Sequence, residues 1–255
     1  MPDSTSYPFR FQEQIIPGVA DLGGDLNGEM VITRSTVYVY EAPVRVWHWV
    51  NALAVMVLVA TGFLIGRPLF NVPGEASDHF LMGYIRFTHF TAAYVMAIGF
   101  LLRLYWGFVG NHHARRIFYL PLWSKKWWRG VIHEARWYAF LEEEPKKYIG
   151  HNPLAQISMV TMFTFFSVAM IVTGFALYSQ GEGADSWQAK VFGWVFLLFP
   201  NSQDVHTLHR LGMWVIVTFI IIHVYAGLRE DIMSRQTMIS TMFSGERQFR
   251  DDREV

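Results

Sequence analysis

The stretch VHTLHRLGMWVIVTFIIIHVYAGL, Val205 to Leu228, decides what kind of chain this is. Its only formal charge is Arg210, near the start. A helix rises about 1.5 Å per residue, so roughly 20 apolar residues cross the hydrocarbon core of a bilayer, and this segment reads as a transmembrane span. Of its three histidines, His206 lies at the very start and two lie deeper, His209 and His223. Ionisable groups inside a membrane are costly and mark function. The two lie fourteen residues apart, close to four full turns, so both rings leave one helix face, separated by about 21 Å along the axis.

Working outward, the same criterion finds three more spans. Val46 to Gly66 carries no charge, Phe87 to Gly110 carries only Arg103, and a third span lies inside the uncharged stretch Tyr148 to Gly181. The four spans are placed at about 46–66, 86–110, 153–179 and 205–229. Val191 to Phe199 is apolar but too short to cross and reads as an interfacial or re-entrant piece. The expected fold is all-α, an integral membrane four-helix bundle. Composition agrees, with 52% hydrophobic residues, 16% charged and ten tryptophans in 255 residues. The 21 Lys and Arg balance 21 Asp and Glu, which leaves no basic field for nucleic acid. There is no cysteine, which excludes disulfides, thiolate metal sites, Cys-ligated iron–sulfur clusters and covalent c-type haem; a metal would be held by some of the ten histidines.

Orientation follows from the basic residues, which are retained on the cytoplasmic side. The loop between spans two and three holds Arg115, Arg116, Lys125, Lys126, Arg129, Arg136, Lys146 and Lys147, whereas the other two loops hold little beyond Arg67, Arg86 at a span edge and Lys190. This predicts a multi-pass membrane protein with that loop and both termini cytoplasmic. Within the loop, Trp123 to Leu141 interleaves Trp with Lys and Arg, as an amphipathic helix lying at the headgroups would. Residues 1–40 form an N-terminal extension, partly flexible, with no signal region and with a short strand expected near Ser35 to Tyr40; residues 41–232 form the four-span domain and 233–255 a C-terminal tail.

Four histidines lie within or just inside the spans: His48, His89, His209 and His223. In an up-and-down bundle their depths pair His48 with His223 near the cytoplasm and His89 with His209 near the outside. Two opposed imidazole pairs in a four-helix bundle are the arrangement that would hold two bis-His haems. Gly62 follows His48 by fourteen residues and Arg103 follows His89 by fourteen, so each faces inward at the level of the other pair. Gly62 would give clearance to a porphyrin, and Gly174 would do the same, because Thr173-Gly174-Phe175 echoes Thr61-Gly62-Phe63. Arg103, with Arg45 and Arg86 each three residues before a histidine, are candidates for pairing with haem propionates. His206 shares a face with His209 but lies nearer the interface, so His209 is the preferred ligand.

Arg45-Val46-Trp47-His48-Trp49 running on to Thr61-Gly62, and His209-Arg210-Leu211 with Trp214, Phe219 and His223, resemble the two signatures of the b-type cytochrome subunit of membrane-bound nickel–iron (uptake) hydrogenases. Ala42-Pro43, Met82 to Arg86, Gly150 to Pro153, Thr173 to Ser179 and Leu228 to Ser234 look similar too, and the likeness covers about Val37 to Gly245. The extension before Val37 is longer than the family leads one to expect. The resemblance implies an anchor with two b haems, ligated by His48, His89, His209 and His223. It would take electrons from the hydrogenase small subunit, with the large subunit beside it, at the outer, periplasmic face, and pass them to quinone. Similar cytochromes serve formate dehydrogenases and thiosulfate reductases with the same histidine layout. A haem-free scaffold or proton relay is the reading from a different class. Hydrogen cleavage itself is not expected here, since no cysteine is present to hold a nickel–iron centre. His151, Asn152 and Gln156, where the third span begins, are the candidate quinone site, against the alternative of a plain helix start at Pro153. Arg67 to Met82 and Gln180 to Gln203 are the candidate docking loops.

Overall fold

Apolar side chains dominate the long segments, and in lipid a backbone can satisfy its own N–H and C=O groups only by coiling into a helix or closing a barrel. The computed structural model, which describes residues 35–68, 79–143, 146–234 and 236–249, is accordingly helical. A short strand β1 (Ser35–Tyr38) leads into α1 (Ala42–Gly66). Then come α2 (Leu81–Val109), the single turn α3 (His112–Arg115) and α4 (Lys125–Tyr138). The third long helix is compound, with α5 (Pro153–Ser158), a π-helical turn (Met159–Phe165) and α6 (Phe166–Glu182) in one run. Two short helices, α7 (Trp187–Phe192) and α8 (Val195–Leu198), precede α9 (Ser202–Met233), and α10 (Met238–Ser244) leads to strand β2 (Glu246–Phe249).

Four helices are long and apolar enough to cross a membrane, Ala42–Gly66, Leu81–Val109, Pro153–Glu182 and Ser202–Met233. Each extends beyond the span read from hydropathy, because a helix continues wherever its polar end groups find partners. The family of apolar side chains left on the outside, such as Val46, Leu53, Ile98, Leu101 and Ile221, is the surface a lipid-facing bundle presents. α1 lies along α2, and α6 along α9. Three apolar layers stack down the bundle. Val39, Tyr40, Val44 and Ala114 close the end that carries the strands; Ala54, Val55, Met96 and Ile216 fill the middle; Ala176, Val195 and Val205 close the far end. The piece Val191 to Phe199 falls within α7 and α8, which cap that far end and do not cross.

The chain's C-terminal part is more than a tail. β2 pairs antiparallel with β1, Ser35 opposite Phe249 and Tyr38 opposite Glu246, and the Gly245 carbonyl accepts from both Val39 N (2.8 Å) and Tyr40 N (3.1 Å). Arg247, almost wholly buried, donates to the carbonyls of Tyr148 and Gly150, both at 2.8 Å. The pairing was hidden in the sequence because a four-residue strand has no period to read and its partner lies at the other end of the chain.

α4 is the amphipathic helix expected in the long loop. Ser124 caps it by accepting from Trp127 N at 3.2 Å. Its C-terminal carbonyls are met by Arg229 of α9, which donates to Trp137 O (2.8 Å) and Tyr138 O (3.2 Å) and lies over the rings of Trp137 and Phe140, both at 4.3 Å. The buried face of α4 carries Glu134, which has no exposed surface. The Asn152 amide donates to Glu134 Oε2 at 3.4 Å and to Glu230 Oε1 at 3.5 Å, and Tyr138 donates to the same Glu230 oxygen at 3.2 Å. Burial first, then the facing Glu230, pushes the Glu134 carboxyl up to about 7, against the opposing pull of Tyr148 and Lys146. A raised carboxyl stabilises the fold fully only below its ordinary value of 4.5, and that contribution is lost as pH rises through about 7. Glu134→Gln, which mimics the protonated acid, is therefore expected to be more stable than the parent at pH 8, by on the order of 1–3 kcal/mol. The difference should vanish near pH 4.5 when thermal unfolding is followed in detergent; a pH-independent difference would contradict this account.

Candidate functional site

The structure brings the four span histidines into two pairs at two levels. On the level near the strands, called inner here, His48 of α1 faces His223 of α9 with ring centroids 6.3 Å apart and planes at 50°. Phe219, one turn before His223, stacks on it at 5.5 Å and 22°, and Trp49 meets the His48 ring edge-on at 5.0 Å. The π-helical turn serves this level. It sets Phe163 against both Trp47 (5.7 Å) and Phe219 (6.1 Å), a role consistent with the frequent occurrence of such turns at functional sites.

On the other level, called outer, His89 of α2 and His209 of α9 lie within electrostatic reach of one another. Each is held by the helix beside it. Thr61 Oγ1 lies 2.9 Å from His89 Nδ1, and Thr173 Oγ1 lies 2.8 Å from His209 Nδ1. The glycine after each threonine leaves room for the ring, since a Cβ on Gly62 would sit 3.2 Å from His89 Cε1 and one on Gly174 would sit 3.2 Å from His209 Cε1. Both glycines thus face the imidazoles directly. The companion histidine His206 is exposed, and it is His209 that meets Thr173.

Three features decide whether these residues suit haem. Among the described residues no three His, Cys, Asp or Glu come together to hold a bare metal ion. Pairs of neutral imidazoles do occur, and two axial donors are what iron already held by a porphyrin can use. His48 Nδ1 is buried without a hydrogen-bond partner. Arg103, only 3% exposed, gives Nη2 to the Ala114 carbonyl at 2.6 Å and lies between Trp47 and Phe118, but its Nε and Nη1 are buried and unpartnered. A buried guanidinium with free donors suits a carboxylate such as a propionate. The residues therefore fit the group. Arg45 also keeps a buried unpartnered Nε while its Nη1 donates to the Phe243 carbonyl, whereas Arg86 is exposed on α2.

The polar trio at the start of the third span is strongly engaged within the protein. Asn152 caps α5 by accepting from Ala155 N at 2.7 Å, with Pro153 in the first turn, and its amide serves the two glutamates. Gln156 accepts from Trp127 Nε1 at 3.0 Å and donates to the carbonyls of Arg116 (3.2 Å) and Tyr119 (2.5 Å). His151 meets the Tyr40 hydroxyl at 3.3 Å through Nδ1. Burial, then Arg247 and the more distant His223, Arg116 and Arg103, push His151 down to about 3, so it is neutral throughout the physiological range. Of the two candidate docking loops, residues 69–78 lie outside the described residues; Gln180 to Gln203 is the α7–α8 cap, tied to α2 by Gln188 donating to Tyr94 OH at 2.9 Å.

The sequence pointed to Gly62 and Gly174 as clearance for a porphyrin but gave the threonines before them no role, and it did not single out Asn51 and Ser167, both buried with a side-chain oxygen that has no partner among the described residues. A polar residue inside an apolar span was the available signal for Asn51. For the threonines there was none, because Thr in a span ordinarily satisfies its hydroxyl on its own helix.

A family model described as prokaryotic cytochrome b561 matches residues 39–245. The chain belongs to this family. This cytochrome is a multi-pass membrane protein of the b type, and haem b is the group its family implies. It is 64% identical over 235 residues to a probable Ni/Fe-hydrogenase B-type cytochrome subunit of Bradyrhizobium diazoefficiens, covering 92% of this chain and 95% of the relative. A protein of the same description from Azotobacter vinelandii is 60% identical over 225 residues (88% and 94%), and a probable Ni/Fe-hydrogenase 1 B-type cytochrome subunit of Escherichia coli K12 is 51% identical over 215 residues (82% and 90%). If the glycines clear space for the histidine rings, Gly62→Val and Gly174→Val should each weaken haem b retention about tenfold or more. Gly227→Val, where nothing lies within 4 Å, should retain it, as pyridine haemochrome assays of the purified cytochrome would register.

Proposed function

We propose that this cytochrome is the di-haem membrane anchor of a nickel–iron hydrogenase, taking electrons from the hydrogenase small subunit at the outer face and delivering them to the quinone pool. The observation that carries the reading is that the span histidines fall at two levels of one bundle, His48 facing His223 at one and His89 and His209, each against a Thr-Gly pair, at the other, with the apolar layer of Ala54, Val55, Met96 and Ile216 between them. Its assignment to a hydrogenase, in preference to a formate dehydrogenase or thiosulfate reductase, is supported by the names of relatives that match nearly the whole chain. Haem b, when bound, supplies the one-electron steps that link an iron–sulfur donor to a quinone.

The protein's own residues do the rest. His48 with His223, and His89 with His209, would hold the haem irons; Arg103, with Arg45, would pair with propionates at the inner level; and the apolar layer between the two levels would keep water and protons out of the path. The bundle sits in the bacterial inner membrane with its strand end in the cytoplasm. This orientation is supported by the basic residues of the long loop, Arg115, Arg116, Lys125, Lys126, Arg129 and Arg136 among them. The α7–α8 cap, with exposed Trp187, Trp194 and Leu197, lies at the opposite end and is the surface offered to the hydrogenase subunits. The quinone site is placed beside the inner level at the start of the third span. There His151 is the contact group, while Asn152 and Gln156, committed to the helix cap, the glutamates and Trp127, build its wall.

A dithionite-reduced minus oxidised spectrum with pyridine haemochrome quantification tests this directly. Two b haems per chain are expected, falling to one in His223→Ala; a well-folded preparation without haem would leave a scaffold or proton relay in its place. His151→Leu should lower quinone reduction by the hydrogenase complex at least tenfold with both haems retained. Loss of haem in that variant would move His151 into the scaffold of the inner site.

A further inference from the structure

The two outer histidines share a device that the inner pair lacks. A threonine hydroxyl has one proton to give. Thr61 gives it to the Val57 carbonyl, four residues back, at 2.6 Å, and Thr173 gives it to the Ala169 carbonyl at 2.7 Å. A carbonyl can only accept, so each hydroxyl proton is committed to its own helix. Toward His89 Nδ1 at 2.9 Å and His209 Nδ1 at 2.8 Å the oxygen is then left to accept. A ring nitrogen that carries the hydrogen completes that contact, and this is the tautomer with which one hydroxyl serves both its own helix and the ring. With Nδ1 protonated, the lone pair of each neutral ring is on Nε2. Among the described residues the inner level has no such anchor: His48 Nδ1 is buried without a partner there, and the His223 ring stacks on Phe219.

The difference has an electronic consequence. A hydrogen bond donated by the far nitrogen of a ligating imidazole fixes its tautomer and raises its basicity, which favours the oxidised metal. Resting on the assignment of these histidines as haem ligands, we propose that Thr61 and Thr173 are positioning residues of the outer site. Their hydroxyls lock His89 and His209 with Nε2 free for iron and hold the outer haem at a lower reduction potential than the inner one. The hydroxyls take no part in the electron step; no bond is made or broken at them. What they set is the direction in which the outer site gives up its electron, and a gradient of this sign runs from the hydrogenase side toward the quinone side. Gly62 and Gly174 belong to the same device, since each lets the neighbouring ring approach closely enough for its threonine to reach Nδ1.

The test is a redox titration of the purified full chain, read from the haem absorbance, with the two waves assigned through His223→Ala, which removes an inner ligand. The outer wave should be the lower of the two. Thr173→Val keeps the shape and removes the hydroxyl. It should raise that wave by about a tenfold change in the oxidised-to-reduced ratio, about 59 mV for a one-electron couple, and leave the inner wave in place. Thr61→Val should move it in the same direction. Thr173→Ser and Thr61→Ser should stay at the parent value. Should Thr173→Val shed the outer haem while Thr173→Ser keeps it, the hydroxyl is again the positioning group. Unchanged waves in the valine variants, an outer wave that is the upper one, or serine variants that shift or lose haem like the valine ones would each overturn the proposal while leaving the haem ligands standing. A parent chain without haem would overturn both.

Discussion

An imidazole placed between apolar helices must be accounted for at both of its nitrogens, and much of this bundle is arranged around that requirement. α9 carries one histidine of each pair on a single face, and α1 and α2 bring the others opposite. The helices that contribute no ligand to a given pair contribute its support. At the outer level α1 and α6 offer a threonine and a glycine each, so that every ring has a hydrogen-bond acceptor on one side and clearance beside it. At the inner level the third helix contributes packing, through a π-helical turn that sets Phe163 between Trp47 and Phe219. A regular α-helix would place that residue on a different bearing.

The end of the bundle near the strands has the opposite character. Polar and charged side chains are buried there in number, and they are tolerated because each is tied to something. Arg229 meets the last carbonyls of α4, Arg247 meets those of Tyr148 and Gly150, Asn152 bridges Glu134 and Glu230, and Tyr40 meets His151. The cost of burying such groups unpaired is what makes the arrangement specific. It fastens the long loop, the start of the third span and both ends of the described chain to the end of α9. The same fastening explains why Asn152 and Gln156 are engaged by the protein and why His151 is kept neutral.

The features of the site that could be seen in the sequence are those with a period or a composition. Four apolar runs of sufficient length, a fourteen-residue spacing between His209 and His223, and the collection of basic residues in one loop required only helix geometry and the cost of charge in lipid. The same spacing put Gly62 and Arg103 on inward faces, where the structure has them, although the glycine lies against the imidazole of His89. The strand pairing across the chain ends, the glutamate pair and the threonine hydroxyls had no such signature.

What the sequence determined by itself, then, was the solvent each segment prefers and the face on which each histidine lies, because both follow from local rules of hydrophobicity and helical repeat. What only the tertiary structure decided was the partner of each polar atom. Thr61 stands twenty-eight residues from His89 and Thr173 thirty-six from His209, and the Asn152 amide reaches Glu134 of α4 and Glu230 of α9 from the start of α5. A hydrogen bond is made or lost over a few tenths of an ångström. Distances that fine between segments so far apart are set by how the helices pack against one another, and no periodicity along the chain encodes them.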